Sequence, residues 1–310
     1  MKARTALEHH LWKTLKEDRL EKMKFCLSCS GGADSVAMVR AFAAVLPVSQ
    51  LLVAHVHHGA GINGHFRNEA EVFVRSLAQG LNIPSEFRRY SGPELQGEAA
   101  LRSCRRKFLA EIKAAHGCDW VVTAHHADDV LETRLIRLMR GTGPDGLPAM
   151  KRQRGFWYRP FLDLSVEELR SDLQLSASPW LEDPSNRDPR FLRNWIRHRW
   201  LPSLEKRRPG AKQAFARSLE DLSQRLEDST EFRGGPLSRT EWMSLQRSEQ
   251  MRVLALWLRS VGVSEFTRGQ LEEIRKQLDN SRNEYTFKGA GCLWLVNAEQ
   301  IALRPGSKST

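Results

Sequence analysis

Lys24-Phe25-Cys26-Leu27-Ser28-Cys29 is followed at once by Ser30-Gly31-Gly32-Ala33-Asp34-Ser35, and this junction decides the fold of the first half of the chain. The apolar run predicts a buried strand, and residues 35–46 predict the helix after it. Two adjacent glycines let the backbone turn sharply and approach a ligand closely. A loop that opens a helix also presents free N–H groups and partial positive charge, which suit a phosphate. The junction therefore predicts a phosphate-binding loop.

The side chains of this loop refine the prediction. Ser30 and Ser35 can donate hydroxyl hydrogen bonds to phosphate oxygens. Asp34 would repel a bare phosphate, so we expect its carboxylate to hold a Mg²⁺ that bridges the phosphates. The residue before Ser35 is not a lysine, so the loop is not a Walker A loop. A plain strand-to-helix turn with a serine cap is the alternative, which the aspartate at this spacing disfavours.

Outward from the loop, short apolar runs alternate with helical patterns. Strands are predicted at 51–56 and 119–124, and helices at 68–81 and 98–115. Strands separated by helices of this length indicate a parallel sheet covered on both faces. Ligands of such sheets lie outside the carboxyl ends of the strands. The first half is therefore expected to be an α/β domain with its site at that edge.

Composition limits the class of protein. The chain has 310 residues, 41% of them hydrophobic, and a formal net charge of +11. A disordered or collagen-like chain is excluded by this content. No apolar run reaches the roughly 18 residues of a membrane span, so we expect no membrane partner. Five cysteines do not make a disulfide scaffold and favour a reducing cytoplasm. The positive charge favours a polyanionic partner such as nucleic acid.

A domain boundary is predicted at Pro209-Gly210, directly after the basic run Lys206-Arg207-Arg208. Residues 1–209 would form the catalytic domain, and residues 210–310 a small, mainly helical or α+β domain. The second part shows helical patterns at 214–226 and 249–259 and strand patterns at 284–287 and 292–296. Thr267 is expected to cap a further helix. The oligomeric state is left open.

A second group of polar residues begins at the end of the strand at 119–124. It reads Thr123-Ala-His125-His126-Ala-Asp128-Asp129-Val-Leu-Glu132-Thr133. Asp129 and Glu132 are three residues apart, so they share one face of a helix. Two carboxylates near the ligand edge could hold an ammonium group. Acids in a first helical turn also simply complement the helix dipole, and the residues alone do not decide between these readings.

The loop resembles a known family. The pattern Ser-Gly-Gly-x-Asp-Ser after a first strand is similar to the PP-loop of ATP pyrophosphatases. These enzymes split ATP into AMP and pyrophosphate to adenylate a substrate carbonyl. The class includes NAD synthetases and tRNA thiolases, so the loop implies the chemistry and leaves the substrate open.

Five ordered blocks narrow the resemblance to the tRNA(Ile)-lysidine synthase family. They extend over roughly residues 24–205, and the four beyond the PP-loop are 55–59, the run 123–133 with its continuation at 137–147, 180–186 and 193–197. The resemblance implies that ATP adenylates C2 of the wobble cytidine in a CAU-anticodon tRNA(Ile). Free L-lysine then attacks C2 through its ε-amine and displaces AMP. The lysidine product reads AUA as isoleucine.

The resemblance also implies roles for individual residues. Ser30–Ser35 would bind ATP, and Asp129 and Glu132 would hold the substrate lysine. Arg193 and Arg197 would stabilise charge at the reacting base and phosphate, for which guanidinium groups are suited. Residues 98–108 resemble the family's E-A-x-A-R-x-x-R-Y helix and would bring Arg105 near the nucleotide.

Two departures from the family pattern are visible. Arg106 stands where the family has tyrosine, and the loop from Gly59 to Arg67 is longer than the family's His-Gly-Leu-Arg. Arg67 is a candidate to replace the arginine of that motif.

Basic side chains supply candidate tRNA contacts. Arg190, Arg193 and Arg197 recur at helical spacing opposite Leu192, Ile196 and Trp200, which predicts one amphipathic helix with a basic face. The runs 151–154 and 206–208 are expected to contact tRNA phosphates.

Two other functions remain as alternatives. A PP-loop tRNA 2-thiolation enzyme would need cysteines at the site, and Cys26 and Cys29 form a C-x-x-C. Residues three apart on a strand point to opposite faces, so the pair is not expected to bind one metal or cluster, and no protein-bound metal centre is predicted. A non-catalytic RNA-binding protein is the other alternative, against which the intact Asp34, Asp129 and Glu132 argue.

Overall fold

A computed structural model of the chain describes residues 5–59, 64–95, 97–141, 150–175, 177–228, 235–263, 266–280 and 284–305. The chain forms two compact units. The first unit is Met1–Val130 with Met150–Asn194, and the second unit is Leu131–Ala149 with Trp195–Thr310. The functional boundary at residues 209 and 210 remains a prediction.

The first unit contains a six-stranded sheet with the order β3-β2-β1-β4-β6-β5. Neighbouring strands are parallel except for β5, which pairs antiparallel with β6. The predicted parallel α/β fold is therefore confirmed. The strands are β1 (Phe25–Ser28), β2 (Leu51–His57), β3 (Ser85–Arg89), β4 (Trp120–Val122), β5 (Gln153–Arg154) and β6 (Trp157–Tyr158).

Helices cover this sheet, and the central strand shows how both of its faces are buried. Side chains alternate along a strand: Phe25 and Leu27 of β1 belong to one apolar cluster and Cys26 to another. The helices are α1 (Ala6–Glu17), α2 (Ala33–Val45), α3 (Gly64–Gly80), α4 (Gly97–Ala115), α5 (Ala127–Met139), which begins in this unit, and α6 (Val166–Leu175).

The sheet order determines where polar loops meet. β1 has β2 on one side and β4 on the other, so the loop after β1 lies at the middle of the carboxyl edge. The segments after β4 and β6 follow at successive strand spacings of about 4.8 Å. Residues 30–35, 123–126 and 159–161 are therefore neighbours along one edge.

The second unit contains a four-stranded antiparallel sheet with the order β7-β10-β9-β8. Its core includes Trp242, Trp257 and Trp294. Thr267 caps a helix whose Leu271, Ile274 and Leu278 are buried, as the sequence predicts. The strands are β7 (Leu237–Ser238), β8 (Tyr285–Gly289), β9 (Cys292–Val296) and β10 (Gln300–Pro305). The helices are α7 (Leu192–Trp195), which begins in the first unit, α8 (Leu201–Arg207), α9 (Ala211–Asp228), α10 (Arg239–Ser244), α11 (Arg247–Ser260) and α12 (Arg268–Leu278).

The predicted amphipathic helix around Arg193 is only partly right. Ile196 is buried, but Leu192 is 40% exposed. Arg190 lies before the helix, because the Asp188 carboxylate accepts hydrogen bonds from both its backbone N–H and its guanidinium. Residues Ile196–Trp200 form a π-helical turn, which adds a residue to the turn and shifts the side chains that follow. Within the described residues, no helix combines the length and apolar character needed to cross a membrane.

Candidate active site

The loop after β1 has a backbone shape that requires glycine at position 31. Gly31 has φ +89°, and a Cβ there would lie 3.5 Å from Phe73 and 3.6 Å from Val74. Its carbonyl oxygen accepts a hydrogen bond from the backbone N–H of Leu181 at 2.9 Å. The loop therefore packs against α3 and is hydrogen-bonded to the segment that follows α6.

The hydroxyl of Ser35 organises the loop from within. It donates to the carbonyl of Gly32 at 2.9 Å and accepts from the backbone N–H of Ser30 at 3.2 Å. Gly32 directly precedes α2 and supplies no side-chain cap, which leaves the N-terminal end of the helix facing the loop. The arrangement therefore offers backbone N–H groups for a phosphate, and Ser35 shapes the loop.

Asp34 is bound by an arginine that sequence reasoning missed. Arg170 of α6 donates from Nε to Oδ1 at 2.6 Å and from Nη2 to Oδ2 at 3.1 Å. Mg²⁺ commonly binds one or two carboxylates together with substrate phosphates, so Asp34 fits as such a ligand and Arg170 competes for it. Nothing in the local sequence distinguishes Arg170 from an ordinary arginine on an amphipathic helix.

Three carboxylates surround the buried imidazole of His126. Its Nε2 lies 3.8 Å from Asp34 and 3.5 Å from Asp129, and its Nδ1 lies 3.6 Å from Asp128. Asp129 also accepts a hydrogen bond from the backbone N–H of His126 at 3.2 Å. The structure therefore brings the predicted Asp34 and Asp129 to one imidazole. Three carboxylates around one imidazole suit a cation, and Arg170 and Arg193 already pair with two of them.

Arg193 lies beside Asp129, with Nη1 to Oδ1 at 3.7 Å. The Asp129 side chain keeps 14% of its surface exposed. One carboxylate thus faces an imidazole and a guanidinium while it remains accessible to a small molecule.

Glu132, on the same helix, belongs to the second unit and has a different environment. Its side chain is 1% exposed. Arg197 donates to both of its carboxylate oxygens, from Nε at 2.6 Å and from Nη2 at 2.8 Å. The structure thus pairs Glu132 with Arg197 in a buried, bidentate arrangement.

Two histidines at the carboxyl edge are held neutral. Burial, with smaller contributions from nearby arginines, lowers the pKa of His125 to about 3 despite the opposing effect of Asp129; those arginines are Arg159, Arg102 and Arg105. Its Nδ1 lies 2.8 Å from the hydroxyl of Thr123. His125 is thus a neutral polar group beside several guanidinium groups.

His58 has a similar environment, because burial lowers its pKa to about 4, with Arg105 and Arg67 as further causes. Arg105 therefore lies where its charge acts on both His58 and His125. Arg67 donates to the carbonyl of Gly59 at 3.1 Å. Residues 60–63 of this loop lie outside the described residues, as do residues 142–147 of the motif block at 137–147.

The cysteines do not form a site. Cys26 and Cys29 are buried in different apolar clusters, as their spacing predicts. Burial raises the pKa of both thiols, which makes them poor nucleophiles. Among the described residues, no three His, Cys, Asp or Glu side chains are arranged to hold a metal ion. The buried thiols of Cys26 and Cys29 therefore do not supply the nucleophile that sulfur transfer at this loop would need.

Known proteins share this architecture. The PP-loop domain family model matches residues 3–204, and the model of the TilS substrate binding domain matches residues 237–286. The U34-tRNA thiolase NcsA from Methanococcus maripaludis, solved with its 4Fe–4S cluster, has a TM-score of 0.56 at 20% identity. The alignment covers 70% of this chain and 78% of that one, and shows likeness of fold. Fold and loop together define an ATP-using protein of the PP-loop class.

Curated relatives place the chain more narrowly. It is 41% identical to the tRNA(Ile)-lysidine synthase of Bdellovibrio bacteriovorus over 98% of both chains. It is 32% identical to the tRNA(Ile)-lysidine synthase of Bordetella parapertussis, over 82% of this chain and 80% of that one. The chain belongs to the tRNA(Ile)-lysidine synthase family.

Proposed function

We propose that this chain ligates free L-lysine to C2 of the wobble cytidine in a CAU-anticodon tRNA(Ile), with ATP as co-substrate. The C2 carbonyl oxygen attacks the α-phosphate of ATP, and pyrophosphate leaves. The ε-amine of lysine then forms a bond to C2, and the C2–O bond to AMP breaks. The observation that carries the proposal is the 41% identity to a tRNA(Ile)-lysidine synthase over 98% of the chain.

In this proposal Ser30–Ser35 bind the phosphates of ATP. The positive φ of Gly31 and the uncapped start of α2 support this role, because both bring backbone N–H groups toward a ligand. Asp34 is the loop's carboxylate and would hold a Mg²⁺ that neutralises phosphate charge. Arg105, on the adjoining helix α4, is proposed to lie near the nucleotide.

Asp129 and Glu132 are proposed to bind the substrate lysine. Asp129 lies in the region of negative charge around His126 and is partly exposed, which supports contact with the ammonium group. The carboxylate of Glu132 is bound by Arg197, so Glu132 would act on the substrate lysine through this pair. Arg193 and Arg197 are proposed to stabilise the negative charge that develops as the adenylate forms and AMP departs.

The second part of the chain is proposed to recognise the tRNA. Residues 1–209 would carry out the chemistry and residues 210–310 would bind the RNA, in keeping with the substrate-binding match at 237–286. The exposed basic run 206–208 and the run 151–154 are proposed to contact phosphates, which predicts strongly salt-dependent binding.

The test is a direct assay of the product. The protein is incubated with ATP, Mg²⁺, labelled lysine and a folded CAU-anticodon tRNA(Ile) transcript, and the RNA is then digested and its nucleosides are weighed by mass spectrometry. A cytidine that has gained lysine is expected. The same tRNA without ATP is the control. A sulfur adduct formed with a persulfide donor, or the absence of any adduct, would contradict the proposal.

A further inference from the structure

The β5–β6 hairpin presents two faces with different charge surroundings. Its two-residue turn begins with Gly155 at φ +58°, and the register sets Arg154 opposite Trp157. Near Tyr158, the phenol donates to Asp18, and the guanidinium of Arg152 reaches to 3.6 Å from Asp163. Acids therefore balance the positive charge there.

The face of Trp157 carries arginines instead. Arg106 of α4 lies over the Trp157 ring, 5.1 Å from its centroid. Arg159 follows β6, and the charges of Arg106 and Arg154 act on it, so it lies near both. Among the described residues, neither Arg106 and Arg159 nor Arg102 and Arg154 form an ion pair with an acid.

Arg159 is the buried member of this cluster. Its side chain is 8% exposed, and Nη1 donates to the carbonyl of Lys151 at 2.9 Å. Its Nε is buried and has no hydrogen-bond partner among the described residues. A buried charge without a counter-ion is costly, as is a buried donor without an acceptor. Within the part of the chain that the structure describes, no anion accepts a hydrogen bond from Arg159.

The pKa of Arg159 agrees with this geometry. Burial, together with the charges of Arg102, Arg106 and Arg154, lowers the pKa of Arg159 to about 10. Burial also lowers the pKa of Arg106, with Arg102 and Arg154 as additional causes. Several positive charges thus lie close together on one face of the hairpin, and a bound anion would reduce the repulsion between them.

We propose that Arg159, with Arg106 and Arg154, binds one phosphodiester of the substrate RNA. The inference rests on the proposed function for the identity of the RNA. Guanidinium groups bind phosphate oxygens through paired hydrogen bonds. Nε of Arg159, which no described residue accepts from, would donate one of them. Arg106 replaces the family's tyrosine, so this arginine cluster is in part a property of this chain.

The position of the cluster favours RNA over ATP. Arg159 follows β6, which is separated from β1 and its phosphate loop by β4. Two strand spacings amount to about 10 Å. A phosphate at Arg159 therefore lies well to one side of the phosphates bound by residues 30–35. It lies along the same carboxyl edge, where an RNA that presents its base to the loop would pass.

The test measures binding of a CAU-anticodon tRNA(Ile) transcript without ATP or lysine, at salt concentrations from about 50 to 200 mM. The Arg106→Gln/Arg154→Gln double variant changes exposed side chains, so its folding is not at risk. It is expected to raise Kd about tenfold and to reduce the slope of log K against log salt by about one. Arg159→Gln is expected to have the same effect. Arg75→Gln, an exposed arginine paired with Glu71, is the control and should leave the slope unchanged.

Three results would overturn the inference. The first is that the double variant binds the RNA as the wild type does. The second is that the wild type does not bind the transcript. The third, measured separately by steady-state kinetics, is that the variant raises only the KM for ATP, which would assign the phosphate to the nucleotide. A wild type that binds the RNA with the expected arginine dependence but forms no lysidine would contradict the proposed function alone.

Discussion

The guanidinium of Arg170 forms two hydrogen bonds with the carboxylate of Asp34, at 2.6 and 3.1 Å, across 136 residues of sequence. Asp34 is the acid of the phosphate loop, so the charge proposed to hold Mg²⁺ is already neutralised by an arginine. Any Mg²⁺ that binds Asp34 must compete with this pair. We therefore expect Arg170 to raise the Mg²⁺ concentration that ATP cleavage at this loop would require.

Replacing Arg170 should lower that requirement. Arg170→Gln removes the competing cation, and we expect the Mg²⁺ concentration at half-maximal ATP cleavage to fall about three- to tenfold. Lysine- and tRNA-dependent pyrophosphate release, titrated with Mg²⁺ at saturating ATP, measures this value. Lys13→Gln, an exposed residue paired with Glu17, is the control. An unchanged or higher Mg²⁺ requirement would show that the pair does not compete with the metal.

Replacing Asp129 should raise the KM for lysine more than the KM for ATP. Asp129→Asn keeps the shape of the side chain but removes the charge proposed to contact the ammonium group. We expect the KM for lysine to rise about tenfold or more, with the KM for ATP within about twofold of wild type. Steady-state kinetics with each substrate varied in turn gives both values, and Glu17→Gln is the matched surface control. Equal increases in both constants would contradict the assigned role.

Glu132 should matter for stability as well as for activity. Glu132→Gln leaves Arg197 beside a neutral amide at a buried position, and we expect the free energy of unfolding to fall by about 2 to 4 kcal/mol. Arg247→Gln, which breaks an exposed pair with Glu272 in the same unit, should cost less than about 1 kcal/mol. Urea unfolding of both variants tests the difference. Equal losses would mean that burial does not strengthen the Glu132–Arg197 pair.

His125 and His10 should have opposite effects on acid stability. Burial is the main cause that lowers the pKa of His125 to about 3. Between pH 6.5 and about 3 the unfolded state therefore binds more protons than the folded state, and the free energy of unfolding decreases as the pH is lowered. Asp163 raises the pKa of His10, so the stability from that residue is present in acid and is lost as the pH rises above 6.5.

The two histidines can be compared in matched variants. His125→Gln should reduce the loss of unfolding free energy between pH 7 and pH 5 by up to about 2 kcal/mol, whereas His10→Gln should increase that loss. Urea unfolding of the wild type and both variants at the two pH values measures the changes. The same sign of change in both variants would contradict this account.

The parts of the fold that depend on neighbouring residues were predictable. The strand–loop–helix unit at residues 25–45 follows from an apolar run, two glycines and a helical pattern. The cap at Thr267 and the buried Leu271, Ile274 and Leu278 follow from spacing alone. β3, with the sequence Ser-Glu-Phe-Arg-Arg, was missed because an edge strand with charged side chains has no apolar signature.

The site was predictable only in part. Asp34, Asp129 and His126 lie at ends of adjacent strands or in the helix that follows, and the sheet order brings them together. Arg170 and Arg159 could not be assigned, because their importance comes from partners distant in sequence. Arg190 was assigned to a helix face, but a local turn with Asp188 keeps it outside the helix.

The hydrogen bond from Leu181 to Gly31 has a consequence for the order of synthesis. The loop is translated 150 residues before the backbone group that holds it (181 minus 31), and 136 residues before Arg170. At about 5 to 20 residues per second, the ribosome adds those 150 residues in roughly 8 to 30 seconds. A growing chain thus carries the whole Ser-Gly-Gly-x-Asp-Ser sequence for many seconds without its supports. Competence to bind ATP should therefore arise late in translation, only after residue 181 has left the ribosome.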